Sequence, residues 1–198
     1  MASEVDICNI ALAHIGELPN VSSINPPEGS AHAEKCKTFY PMARDVALEH
    51  RNWSFALRRV TLAALTNDSQ QWRYKYALPS DCLRPIELSQ ADIDDSLSPY
   101  LEGLTDYVVE GRAIYTNVPL ATLRYLRRTT DTNLFPPTFV NAVSWLLASY
   151  LAGAITRDVK IKQWAYEVFL QELGTSAQSV ANGNQTTHAH TASWISKR

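Results

Sequence analysis

The stretch Ala43–Leu65, ARDVALEHRNWSFALRRVTLAAL, decides how the rest of the chain is read. Its first part is helical in period: Ala43, Val46, Ala47 and His50 recur on one face, with Arg44, Asp45 and Glu49 between them. Asn52-Trp53-Ser54-Phe55 then breaks the pattern. Two aromatics two residues apart share a face on an extended segment and oppose each other on a helix. Either way each buries a large area and anchors a core where the chain changes direction. The apolar run that follows, Ala56, Leu57, Val60, Leu62, Ala63, Ala64 and Leu65 around Arg58-Arg59, reads as more of the same core helical layer.

Toward the N-terminus, Ser3 to Ile15 reads as a helix. Ser3-x-x-Asp6 resembles a capping box with Asp in place of Glu. Val5, Cys8, Leu12 and Ile15 form its stripe, Ile7 and Ile10 lie off it, and Gly16 is a natural stop. Glu17 to Gly29 is a loop, and Ser30 caps a second helix reaching about His50. Pro41 inside it predicts a kink or a split near Tyr40.

Toward the C-terminus, Asn67 to Gln71 is a polar break, after which the period becomes two. Trp72, Tyr74 and Tyr76 alternate with Arg73 and Lys75. Arg84 to Leu88 is a short apolar run, and Gln90 to Pro99 an acidic loop. Tyr107-Val108-Val109 and Ala113-Ile114-Tyr115 flank Glu110-Gly111-Arg112 as a hairpin, and Leu120 to Leu126 is a last strand. Phe135-Pro136-Pro137 ends this region. Thr138 to Ala154, without a formal charge, is a buried helix. A break at Arg157-Asp158 precedes another helix through Ile161, Trp164, Ala165, Val168 and Phe169, with Asp158 and Lys162 as an i,i+4 pair and Gly174 as its end.

These periods predict an α+β fold, mainly α: an antiparallel helical bundle from residues 1–69 and 131–178, with a small antiparallel β-sheet inserted at 70–130. Trp53, Phe55, Phe139 and Trp164 are its expected core. Residues 179–198 form an extended C-terminal arm, too polar to order itself. The arm ends Trp194-Ile195-Ser196-Lys197-Arg198, an apolar pair with a basic end that reads as a docking peptide.

At 198 residues the chain can bury a real core. A net charge of −2 makes no electrostatic case for wrapping nucleic acid. Cys8, Cys36 and Cys82 are far apart and odd in number, and read as small buried hydrophobes in a reducing compartment rather than a disulfide or zinc set. The start, MASEVDIC, lacks the basic region of a signal peptide, and no apolar run approaches the roughly 20 residues needed to span a bilayer.

Motifs for chemistry are missing: no Gly-rich phosphate loop, HExxH, GxSxG or CxxC. Asp92-x-Asp94-Asp95 lacks the glycine and final carboxylate of a calcium loop, and His188-x-His190 has no third ligand nearby in sequence. No acid–base pair stands out. The expectation is therefore no catalytic residue, no metal and no cofactor.

Several motifs resemble, in order, the phage head-to-tail adaptor family, that of tail tubular protein A and related head-completion proteins of short-tailed phages. They are Asp6-x-x-Asn9-x-Ala11-Leu12-x-x-Ile15-Gly16, Tyr40-x-x-Ala43-Arg44-Asp45, Trp53-Ser54-Phe55-Ala56 and Tyr76-Ala77-Leu78-Pro79-Ser80-Asp81-Cys82-Leu83-Arg84. Glu110-Gly111-Arg112 with Ile114 and Asn117, and Phe135-Pro136-Pro137-x-Phe139, complete the set. The resemblance implies a structural, non-enzymatic virion protein assembled in the host cytoplasm. Family members form a ring of twelve subunits that docks on the portal protein, extends the DNA channel and receives the tail nozzle protein, with DNA passing through without sequence-specific contacts. C-terminal arms of the family reach onto the portal, a role that falls here to Trp194, Ile195, Lys197 and Arg198. The alternatives are an adaptor with added peptidoglycan hydrolase activity, or a monomeric scaffold or binding module.

Overall fold

A computed structural model describes residues 2–90 and 106–183, with side chains to Gly174. The first helix, α1 (Glu4–His14), starts at a capping box: Ser3 Oγ accepts from the Asp6 amide, and the Asp6 carboxylate accepts from the Ser3 amide at 2.8 Å. Both side-chain amide atoms of Asn9 then hold Val21, at 2.9 and 3.0 Å, which ties the following loop to the helix. Ser30 caps α2 (Ala31–Glu49).

The aromatic corner is a single 3-10 turn, Ser54–Ala56, and what leaves it is β1 (Leu57–Thr61), followed by β2 (Ala64–Leu65). Next come β3 (Tyr74–Ala77), β4 (Cys82–Gln90), β5 (Tyr107–Glu110), β6 (Ala113–Thr116) and β7 (Ala121–Arg127). The helical layer resumes with α3 (Pro137–Ala154), which begins on proline, and α4 (Val159–Gly183).

The expected antiparallel helical bundle with one small inserted sheet is wrong. The described residues are 44 % helical and 23 % strand, with four helices and two antiparallel sheets among them, one of three strands and one of four. The error starts at Leu57. Residues 57–61 pair along β7, from Leu57↔Leu126 to Thr61↔Thr122. A short apolar run fits a buried helix and a strand equally well in period. Here the partner strand, far away in sequence, decides.

The three-stranded sheet runs β1-β7-β4 and the four-stranded sheet β2-β3-β6-β5. The chain crosses from one to the other at Leu62-Ala63. The Leu62 amide donates to Ala121, and the Ala63 carbonyl accepts from Ala77, both at 2.9 Å. Leu62, Tyr76, Leu88, Ile114, Ala121, Leu123 and Tyr125 form a core of their own. Gly111, at φ +59°, makes the β5–β6 turn. The period-two reading therefore agrees with β3, β5, β6 and β7.

The larger core belongs to the helices, with α3 against each of the other three. The split near Tyr40 and the stop at Gly174 do not occur. Helix α2 runs unbroken through Pro41. Pro41 and Lys37, whose carbonyl loses its usual donor, are both exposed, so water can take the missing bond. Helix α4 continues past Gly174 to Gly183. A glycine inside a helix costs only about 1 kcal/mol and is not by itself a stop.

Candidate assembly surfaces

Of the residues expected in the core, Trp53 and Phe139 are buried and Phe55 is partly buried against them. Their rings, with Phe135, form one cluster with centroids 4.8–6.1 Å apart. Trp164 departs from expectation: it is 51 % exposed. Ala165 and Phe169 hold the buried line of α4, and one residue back along a helix is a rotation of about 100°. Trp164 meets Trp145 edge-on at 5.1 Å, and Trp145 stacks on His14 at 3.6 Å. The arm residues Trp194, Ile195, Lys197 and Arg198 lie outside the described residues, as does the acidic loop with Asp92, Asp94 and Asp95.

Exposed apolar side chains are spread over several elements, Leu18, Met42, Leu120 and Leu134 among them, and two groups of them share a surface. On α4, Val159, Tyr166 and Leu170 recur at i, i+7 and i+11 on one outward face, exposed by 65, 42 and 45 %. On the four-stranded sheet, β5 is an edge strand: its one partner among the described residues is β6. Val108 and Val109 are both exposed there, one on each face of the strand. Leu65 on the opposite edge strand β2 and Tyr74 on β3 are exposed as well. An apolar edge strand is a template for pairing unless something covers it.

An ion-pair junction holds the helices to the sheets. Asp45 accepts from Arg44 at 2.8 and 2.9 Å and from Arg128 Nε at 2.9 Å. Arg44 is buried and its guanidinium lies 6.0 Å from the Tyr40 ring centre, whereas Arg128 is half exposed. On the sheet side, Asp81 accepts from the Tyr125 hydroxyl at 3.0 Å and lies 3.6 Å from Arg58. Burial first, and then the Asp81 contact, push the Tyr125 hydroxyl up to about 12.

Two recesses open on the surface of the described residues. An apolar cleft of about 480 Å³ lies between α1 and the start of α3, lined by Ile10, Phe135, Val140 and Ser144 among others. His14 Nε2 lies 3.2 Å from Ser144 Oγ at this cleft, which is the spacing of a nucleophile–base pair. The bonding runs the other way. Ser144 Oγ donates to the Asn141 carbonyl at 2.8 Å, so its proton is already used and His14 is left to donate. Burial also depresses the His14 pKa, favouring the neutral ring. The contact pins α1 to α3.

The second recess, about 330 Å³, is polar and lined by Asp68, Ser69, Gln71, Trp72, Glu110 and Tyr115. Lys75 Nζ reaches both Asp68 oxygens at 2.8 Å, and the Tyr115 hydroxyl donates to Asp68 at 3.1 Å. The Lys75 contact first, and then Tyr115, hold the Asp68 carboxyl below its usual range and keep it ionised. No group of three or more His, Cys, Asp or Glu suited to a metal occurs among the described residues.

Cys8 on α1 and Cys36 on α2 are fully buried, as expected of small apolar side chains, and Cys82 on β4 is partly buried. No model of a known protein family matches the chain, and a search of curated proteins finds no match of significance.

Proposed function

We propose that this chain is a structural virion protein, a ring-forming head-to-tail adaptor that docks on the portal, extends the DNA channel and receives the tail nozzle. The observation that carries this reading is that two unlike exposed apolar groups lie on different elements, one along α4 and one on the sheet edge at β5. A head-to-tail ring needs two different complementary surfaces on every subunit, whereas a two-fold dimer needs one self-complementary surface.

The motifs of the resemblance add support. Asn9 fastens the first loop, Asp45 joins helix to sheet, Trp53 fills the corner, Asp81 anchors Tyr125 and Gly111 turns the hairpin. Asn117 accepts from the Arg73 amide at 3.1 Å. These residues share fold-determining roles, as expected of a resemblance at the level of architecture. A net charge of −2 suits a lumen through which DNA slides without sticking.

A hydrolase reading has one feature in its favour, the polar recess beside Trp72 with the carboxylates of Asp68 and Glu110. Glycoside hydrolysis needs a carboxyl kept protonated to act as acid. Asp68 is held the opposite way by Lys75.

The test uses two variants, Tyr166→Ser/Leu170→Ser on one patch and Val108→Lys/Val109→Lys on the other. Each alone should fail to form rings on portal while remaining folded by circular dichroism. Mixed together, they should form a dimer and stop there, because only one productive contact remains. Normal rings from both variants would refute the reading.

A further inference from the structure

We infer that the outward face of the three-stranded sheet is a contact surface for the phosphodiester backbone of a nucleic acid, held without regard to base sequence. The inference goes beyond assembly, because it concerns the surface of the single subunit. The net charge of −2 conceals a segregation. Strands β1, β4 and β7 carry five arginines, Arg58, Arg59, Arg84, Arg124 and Arg127, against the one carboxylate of Glu87. That is +4 on one sheet, which leaves −6 for the rest of the chain.

The register sorts these side chains by face, since residues directly opposite on antiparallel strands share one. Leu88, Ala121, Leu123 and Tyr125 take the face that joins the core of the sheets. Arg59, Arg124 and Glu87 form a row across the opposite face, and Thr61, Thr122 and Ser89 form the next row, about 6.7 Å along the strands. The row before them is Leu57, Leu126 and Arg84; its leucines pass under the helical core, and Arg84 on the edge strand is exposed. Arg59 and Arg124 stand directly opposite each other, Cβ atoms roughly 5 Å apart, and like charges so placed cost stability. Glu87 answers only Arg124, at 3.5 Å. Arg59 is exposed and has no carboxylate partner among the described residues. Arg84 donates to Asn52 at 2.6 Å, a neutral partner that leaves its charge unanswered. Guanidinium groups beside hydroxyls on a flat, open face are the donors that backbone phosphate oxygens accept from. The three rows hold no aromatic ring on which a base could stack. Three arginine contacts give weak, salt-sensitive binding, under which a strand can move across the face.

In the test, the full-length protein is titrated, without portal, into two fluorescein-labelled DNA duplexes of unrelated sequence, and anisotropy is read. Both duplexes should bind alike, and affinity should fall roughly 40-fold between about 50 and 200 mM salt, as for three phosphate contacts. Arg59→Gln and Arg124→Gln should each weaken binding roughly tenfold at the lower salt and reduce the log–log salt slope by about 1. Glu87→Gln should tighten binding, because it removes the one negative charge of the row. Arg58→Gln is the control: it lies on the same strand but on the opposite face, beside Asp81, and should bind within about threefold of wild type. Arg59→Gln should also melt no lower than wild type, since it relieves the like-charge pair. The inference is overturned if neither duplex binds at about 50 mM salt with about 100 μM protein. It is equally overturned if Arg58→Gln weakens binding as much as Arg59→Gln, or if Arg59→Gln melts lower, which would give the arginine to the fold. Poly-glutamate of matching charge, bound more tightly than either duplex, would overturn it by assigning the face to an acidic protein.

Discussion

The indole Nε1 of Trp53 donates to the main-chain carbonyl of Ala47 across 2.9 Å, so the corner after α2 is bonded back onto the helix it terminates. The carbonyl belongs to the last turns of α2, where intrahelical donors run out, and the indole replaces one of them. The same ring packs edge-on against Phe139 of α3 at 4.9 Å. One side chain thus ends a helix, fills the core and directs the chain into β1.

Trp53→Ala should cost about 3–5 kcal/mol, the range for removing a large buried aromatic. Trp53→Phe keeps most of the packing and orphans the Ala47 carbonyl, and should cost about 1–3 kcal/mol. Urea midpoints at constant m-value measure both. Equal losses for the two substitutions would mean that the hydrogen bond, not packing, dominates.

At the helix–sheet junction the two arginines should behave differently. Asp45→Asn removes the carboxylate partner of both Arg128 and buried Arg44, and should destabilise by about 2–4 kcal/mol, chiefly through Arg44. Arg128→Ala removes a half-exposed partner and should cost under about 1 kcal/mol. Denaturant titration of both variants checks the order, and a larger loss for Arg128→Ala would place the anchor on the wrong side.

Stability should depend on pH through His14. Its folded pKa is depressed by burial below the ordinary 6.5, so the unfolded chain takes up the proton first. The contribution is complete above about pH 6.5 and is lost as pH falls from there toward the depressed folded value. His14→Gln should flatten that part of the stability curve relative to wild type, read as urea midpoints between about pH 5 and 7. Parallel curves would show that some other group sets the slope.

Leu120 is exposed and sits at φ +49° between β6 and β7, a left-handed conformation that a leucine adopts at a cost. Leu120→Asn, which tolerates that region, should raise stability by about 0.5–1 kcal/mol. A fall in the thermal midpoint would mean that the leucine has a packing role not visible in the subunit.

Much of the fold was legible where one interaction range is enough. Capping by Ser3 and Ser30 is decided within four residues, and period two in Trp72–Tyr76 is decided by one half-buried face. Reading failed where a distant partner decides: β1 is a strand because β7 pairs with it. It also failed where the environment of a backbone group matters, as for the exposed carbonyl opposite Pro41 and the tolerated Gly174. Trp164 shows a third limit, because an apolar residue beside the buried stripe looks the same in sequence as one within it. The two exposed patches were not legible at all, since exposure is a property of the folded surface.

Ring assembly on portal is decided by native mass measurement of the full-length chain with and without purified portal. The subunit mass is 22.1 kDa. The expected result is a closed assembly on portal with about twelve copies, a number implied by the resemblance, in which weak single contacts add around the ring. Trp194→Ala, or deletion of residues 190–198, should weaken that binding greatly while the body stays folded. A chain that remains at 22.1 kDa in the presence of portal, at concentrations well above micromolar, would rule out ring assembly.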